Sequence, residues 1–188
     1  MILASTYLGG RGSEQVRALT LDAAGGLVMT GVTDSLDFPI TADALKTSIG
    51  DKVCSYQLFG QPVACTDIFV ARFDGDTALQ YGTYFGGSGA DNVADIRVDG
   101  GGAVYLAGTT DSSDFPVTPD AYQPCRRSTS QAAGDAFVAK LTLGARVAYS
   151  TYLGGSGGAQ ANGVAVSDSG EILLTGSTAP IDFPPDPV

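Results

Sequence analysis

Residues 82–87 read Gly82-Thr83-Tyr84-Phe85-Gly86-Gly87, and the chain spells nearly the same words twice more. They stand as Ser5-Thr6-Tyr7-Leu8-Gly9-Gly10 near the start and as Ser150-Thr151-Tyr152-Leu153-Gly154-Gly155 later on. Two further motifs follow each copy: Thr30-Gly31, Ala107-Gly108 and Thr175-Gly176, then Asp37-Phe38-Pro39, Asp114-Phe115-Pro116 and Asp182-Phe183-Pro184. From Tyr to Gly the separation is 24 in every copy (7 to 31, 84 to 108, 152 to 176), and from Gly to Phe it is 7. A block present twice, Asp67-Ile68-Phe69-Val70-Ala71-Arg72-Phe73 and Asp135-Ala136-Phe137-Val138-Ala139-Lys140-Leu141, precedes the next Tyr by 15 positions counted from its first Phe.

The periods still differ, 77 against 68, and the difference of 9 falls between the Asp-Phe-Pro motif and the Phe-Val-Ala block. A ladder-paired strand cannot change length without turning its core side chains outward, whereas a loop can. The invariant segments therefore read as strands and the variable one as a loop.

Glycine is abundant, β-branched residues are common, and no long apolar stripe of helical spacing occurs. Four short strands per repeat fit: 16–21, 27–32, 68–73 and 78–85, recurring at 93–99, 103–109, 136–141 and 145–153. A lone strand at 2–8 opens the chain and two at 162–167 and 171–177 close it. Tandem antiparallel four-stranded units with a Gly/aromatic motif in each predict an all-β fold of the β-propeller type, about two and a half blades long and part of a larger propeller. Residues 1–8 are read as the last strand of a preceding blade. Residues 9–85 form a full blade with a long loop at 39–66, residues 86–153 a second with a loop at 116–134, and residues 154–188 half of a third.

The Tyr-Leu-Gly-Gly, Thr-Gly-x-Thr, Asp-Phe-Pro and Asp-Ala-Phe-Val-Ala-Lys-Leu blocks resemble the bacterial SBBP β-propeller repeat family, over almost the whole chain. The resemblance implies a secreted or cell-surface protein with no common enzymatic activity. The third copy departs from it at Ala179-Pro180-Ile181, where the others have Asp34-Ser35-Leu36 and Asp111-Ser112-Ser113. Terminal blade faces would leave apolar surface bare, so further blades are expected from a parent chain or from other copies.

Composition narrows the function. There is no histidine, which removes Ser-His-Asp and Cys-His nucleophile systems and the HExxH zinc motif. The formal net charge is −10 with scattered Lys and Arg, which argues against nucleic acid and acidic lipid as partners. No apolar run is long enough for membrane insertion as a helix. Neither a P-loop nor a dinucleotide site is present, because the Gly-rich turns join strand to strand. No catalytic residue, cofactor or metal site is assigned.

Cys54 and Cys65 lie 11 apart in the longer loop, and a bridge between them suits the exported character that the resemblance implies; the alternative is three reduced thiols, Cys125 included. The repeated Asp34/Asp37 and Asp111/Asp114 read either as calcium ligands or, in preference, as Asx-turn caps before a proline. Tyr7, Tyr84 and Tyr152 read as blade-packing residues rather than a sugar platform. Alternating connections put the links 9–14, 86–91 and 154–160 on one face with the long loops. That face, with Tyr56, Gln57, Tyr122, Arg126 and Arg127 as candidate contacts, is where a protein or carbohydrate partner is expected. The function so read is a non-enzymatic scaffold and interaction module. A carboxylate-based hydrolase or lyase and a plain repeat spacer are the alternatives.

Overall fold

A computed structural model describes residues 5–50, 53–56, 62–129, 134–142, 144, 146–179 and 182–183; of residues 55, 56 and 62–64 it describes the backbone alone. Among the described residues all regular structure is strand. The elements are β1 (Glu14–Leu21), β2 (Leu27–Thr33), β3 (Val53–Tyr56), β4 (Pro62–Ala64), β5 (Asp67–Phe73), β6 (Leu79–Phe85), β7 (Asp91–Val98), β8 (Ala103–Thr110), β9 (Asp135–Thr142), β10 (Arg146–Leu153), β11 (Ala159–Val166) and β12 (Ile172–Thr178). Two antiparallel four-stranded sheets result, β1-β2-β5-β6 and β7-β8-β9-β10, followed by the pair β11-β12.

The turns are local chemistry. Asp22 Oδ1 accepts the Ala24 and Gly26 N–H groups, and Asp74 and Asp99 close their own hairpins in the same way. Arg72 on β5 then reaches back to Asp22 at 2.6 Å and ties the first hairpin to the third strand.

The sheets pack face to face, with β1 against β7 and β7 against β11, so the first strands of successive units are neighbours. Alternation sorts each strand between two faces. Ile68, Val70 and Phe85 of the first sheet meet Val93, Ile96, Leu106 and Phe137 of the second in one core. Tyr105, Ala107 and Ala136, from the other face of the second sheet, meet Ala161, Val164 and Leu174 of the third unit. This is a β-propeller-like repeat.

Two features depart from the sequence reading. The segment 39–66, read as pure loop, carries the β3-β4 ribbon, paired from Val53↔Ala64 to Tyr56↔Pro62. The strand expected at 2–8 is not formed over residues 5–8, and Tyr7 is fully exposed. Residues 1–4 lie outside the described set. The physical reason is pairing: β6 and β10 each lie along the third strand of their own sheet, and residues 5–8 have no strand partner among the described residues.

The long loops also repeat further than their first motif. Thr41 and Lys46 hydrogen-bond along the outer edge of β6, and Thr118 and Gln123, 77 positions later, do the same along β10. Each loop thus covers a sheet edge that would otherwise offer unpaired backbone. The nine-residue difference lies beyond these points, in residues 47–66 against 124–134.

Candidate functional site

Each first strand bulges once, at Arg17, Ala94 and Asn162, where the register slips against the second strand. The repeated Gly explains where. A Cβ on Gly31, Gly108 or Gly176 would overlap the carbonyl oxygen of Gln15, Asn92 or Gln160. Only glycine lets the bulged strand approach this closely. Sequence reasoning took this Gly as a spacing marker and missed that it sets a bulge beside an amide-bearing residue. The signal was present in Glu14-Gln15, Asp91-Asn92 and Ala159-Gln160, where an amide recurs at one register position.

Around these bulges a cleft of about 590 Å³ opens, lined from all three units. Arg17 comes from the first, Asn92, Thr109 and Asp111 from the second, and Gln160 and Asn162 from the third. Among the described residues, the Arg17 guanidinium and the Asn92, Gln160 and Asn162 amides have no hydrogen-bond or ion-pair partner. Asp111 faces Arg126 at 3.6 Å. The cleft lies at the end of the sheets where the first strands begin and the long loops return, since Thr66 and Gly134 also line it.

Beneath the cleft lies the joint between units. Asp91, fully buried, accepts the Thr110 hydroxyl, the Gly87 N–H at 2.8 Å and the Ser112 hydroxyl at 3.0 Å. Desolvation pushes its carboxyl up to about 7, against the opposing pull of those donors. In the first unit Glu14 takes the Thr33 and Ser35 hydroxyls instead. The third has Ala159 at this register position, opposite Thr178.

Asp34, Asp37, Asp114 and Asp182 accept N–H groups of the preceding link, while Asp111 pairs with Arg126. Asp34 Oδ1 takes the Ser13 N–H at 2.6 Å, Asp37 the Arg11 N–H at 2.8 Å, Asp114 the Ser88 N–H at 2.8 Å and Asp182 the Ser156 N–H at 2.9 Å. For Asp34 and Asp37 the local Asx-turn reading is corrected to a clamp between this motif and the Gly-Gly link that leads into the same unit, and Asp114 bonds the equivalent link of the second unit. Gly87 needs its missing side chain here, because a Cβ would crowd Ser112 and Asp114. Among the described residues no group of three or more acidic or cysteine side chains gathers in metal-binding geometry.

Tyr84 and Tyr152 are buried, and each locks the Asp-Phe-Pro turn of its own sheet. The Tyr152 hydroxyl accepts the Phe115 N–H at 3.0 Å and donates to the Ser112 carbonyl at 2.8 Å, and Tyr84 does the same with Phe38 and Ser35. Their hydroxyls hold turns within a unit, while the ring of Tyr152 also belongs to the core shared by the first and second sheets.

Cys54 and Cys65 form a disulfide, and Cys125 is a free, exposed thiol. The backbone of Tyr56 sits in β3, its side chain lies outside the described set, and so does Gln57. Tyr122 is 46% exposed, at the repeat position that Leu45 fills in the first unit. Arg126 pairs with Asp111 at the rim of the cleft, while the Arg127 N–H donates to buried Asp135 at 2.6 Å, so that its backbone is structural.

This geometry defines a propeller-like repeat protein. The comparison with protein families agrees: residues 80–116 match the model described as SBBP, beta-propeller repeat. That span runs from β6 to Pro116 and contains one copy of each of the three Tyr-to-Pro motifs quoted first. No curated protein matches the sequence.

Proposed function

We propose that the chain is a non-enzymatic scaffold module of a secreted or cell-surface bacterial protein, and that it engages a protein or carbohydrate through the long-loop face. The carrying observation is the division of labour inside each unit. The sheet, the Asp-Phe-Pro turn and the edge-covering Thr41–Lys46 and Thr118–Gln123 stretches repeat, while 47–66 and 124–134 differ in length and chemistry on the face that also holds the cleft. Variable loops on a rigid frame are where binding evolves. The Cys54–Cys65 bridge fits an oxidising compartment.

The carboxylate-enzyme alternative finds no support in the one strongly perturbed acid among the described residues. Asp91 is fully buried behind Thr110 and Ser112, where no substrate reaches it. The test is binding of the chain to immobilised glycans and surface-protein ectodomains, beside a chain whose residues 47–66 are replaced by a copy of 124–134 and one carrying Tyr122→Ala. Tyr122→Ala should keep the thermal transition, the loop exchange should stay cooperatively folded at a midpoint lowered by loss of the disulfide and of buried Ile49, and at least one should lose the partner. A partner held equally by all three, or none at all, would overturn the reading.

A further inference from the structure

We infer that the cleft at the first-strand bulges is a saccharide site, a deepening that rests on the proposed interaction face. Besides Asp111, its polar side chains are three amides, on Asn92, Gln160 and Asn162, with the Thr66 and Thr109 hydroxyls and the Arg17 guanidinium. An amide offers one acceptor and a donor pair in a fixed plane. This matches adjacent sugar hydroxyls, each of which also donates and accepts. The fork of Arg17 suits a hydroxyl pair or a ring oxygen with its neighbour. Ala94, Val93 and Ala161 supply apolar wall for the C–H face of a pyranose.

Charge selects among polar ligands. The one acid in the lining, Asp111, is opposed by Arg126, which leaves no free carboxylate for a cation. A single guanidinium in a chain of net charge −10 is a poor collector of polyanions. A neutral oligosaccharide remains. The size fits as well, since about 590 Å³ falls within the usual range of small-ligand sites.

The bulges make these groups available. In regular pairing, alternate residues of a first strand would turn toward a neighbouring sheet. The slip at Arg17, Ala94 and Asn162 breaks that alternation and leaves the amides beside it without protein partners. No intramolecular hydrogen bond has to break before a ligand binds.

The experiment titrates the 188-residue chain with neutral di- and trisaccharides of glucose, galactose, mannose and N-acetylglucosamine, with uronic-acid oligomers and an extended polar peptide as separate arms. Chemical-shift perturbation is the readout. A neutral sugar should perturb the Asn92 and Gln160 amides, and Asn92→Ala with Gln160→Ala should weaken it about tenfold or more. Asp168→Asn, at the opposite end of the sheets, should leave binding intact. These side chains are exposed, so thermal transitions should stay level. If a sugar binds with affinity unchanged in the double variant but lost on exchange of 47–66, the cleft assignment falls and the loop-face function stands. Binding of the peptide or the uronic acids in place of neutral sugars overturns the saccharide class. If no arm binds and no protein partner depends on this face, both readings fall.

Discussion

Tyr152 and Asp91 show how much single polar groups carry here. Tyr152→Phe keeps the ring in the core but strips the partner from the buried Phe115 N–H and the Ser112 carbonyl. Stability should fall by about 1–3 kcal/mol in urea unfolding, and an unchanged midpoint would remove the turn-locking role. Burial also pushes the Tyr152 hydroxyl up to about 12, so it stays a donor at any ordinary pH. Asp91 acts in the opposite sense to a salt-bridged acid. Its carboxyl holds a proton to about pH 7 in the folded chain, while in the unfolded chain it ionises near the ordinary value. The contribution of Asp91 to stability is therefore full below about pH 4, declines as pH rises to about 7, and levels off above. Asp91→Asn, measured by thermal unfolding across that window, should flatten the decline by up to about 4 kcal/mol. A difference between the two proteins that does not change with pH would contradict this. The Tyr and its spacing stood out in the sequence. The partners of its hydroxyl did not, because they come from a turn 40 residues earlier that only folding brings alongside.

At the level of elements, the bulge and the ribbon are the informative departures from plain pairing. Gly108→Ala should cost about 3 kcal/mol or more, since the added Cβ meets the Asn92 backbone and the Phe137 ring, neither of which can yield. Gly100→Ala, with open space around it, should stay within about 0.5 kcal/mol in the same denaturant series. Similar losses at both positions would mean that the bulge is not what demands glycine. The β3-β4 ribbon was hidden because its pairing register slips once and its strands are only 4 and 3 residues long, too short for an alternation to show. The disulfide closes this loop, and its reduction should lower stability by at most about 3 kcal/mol in thermal scans with and without reductant.

Across the molecule, equivalent positions have unequal fates. Val93 and Ile96 on β7 are 1% and 0% exposed, covered by the first sheet. Their counterparts Val16 and Leu19 on β1 are 50% and 62% exposed, and Leu21 is 65% exposed. The same sequence pattern is core in one unit and bare surface in the other, because burial here comes from the neighbouring sheet rather than from the strand itself. Leu19→Lys should leave the unfolding midpoint unchanged and reduce self-association and binding of an apolar dye. Ile96→Ala should cost about 2–4 kcal/mol. Equal costs at the two sites would show that the β1 face is covered in solution.

Repeat spacing, glycine positions and β-branched composition were enough to establish strands, hairpins, order and the blade-like unit. All of these follow from local sterics and pairing, which the chain carries at every copy. The amide-lined cleft, the raised carboxyl of buried Asp91 and the clamps on the Gly-Gly links needed the packed molecule. They arise where groups from about 20 to about 145 positions apart meet, and in one dimension a buried acid and a solvated one are written with the same letter.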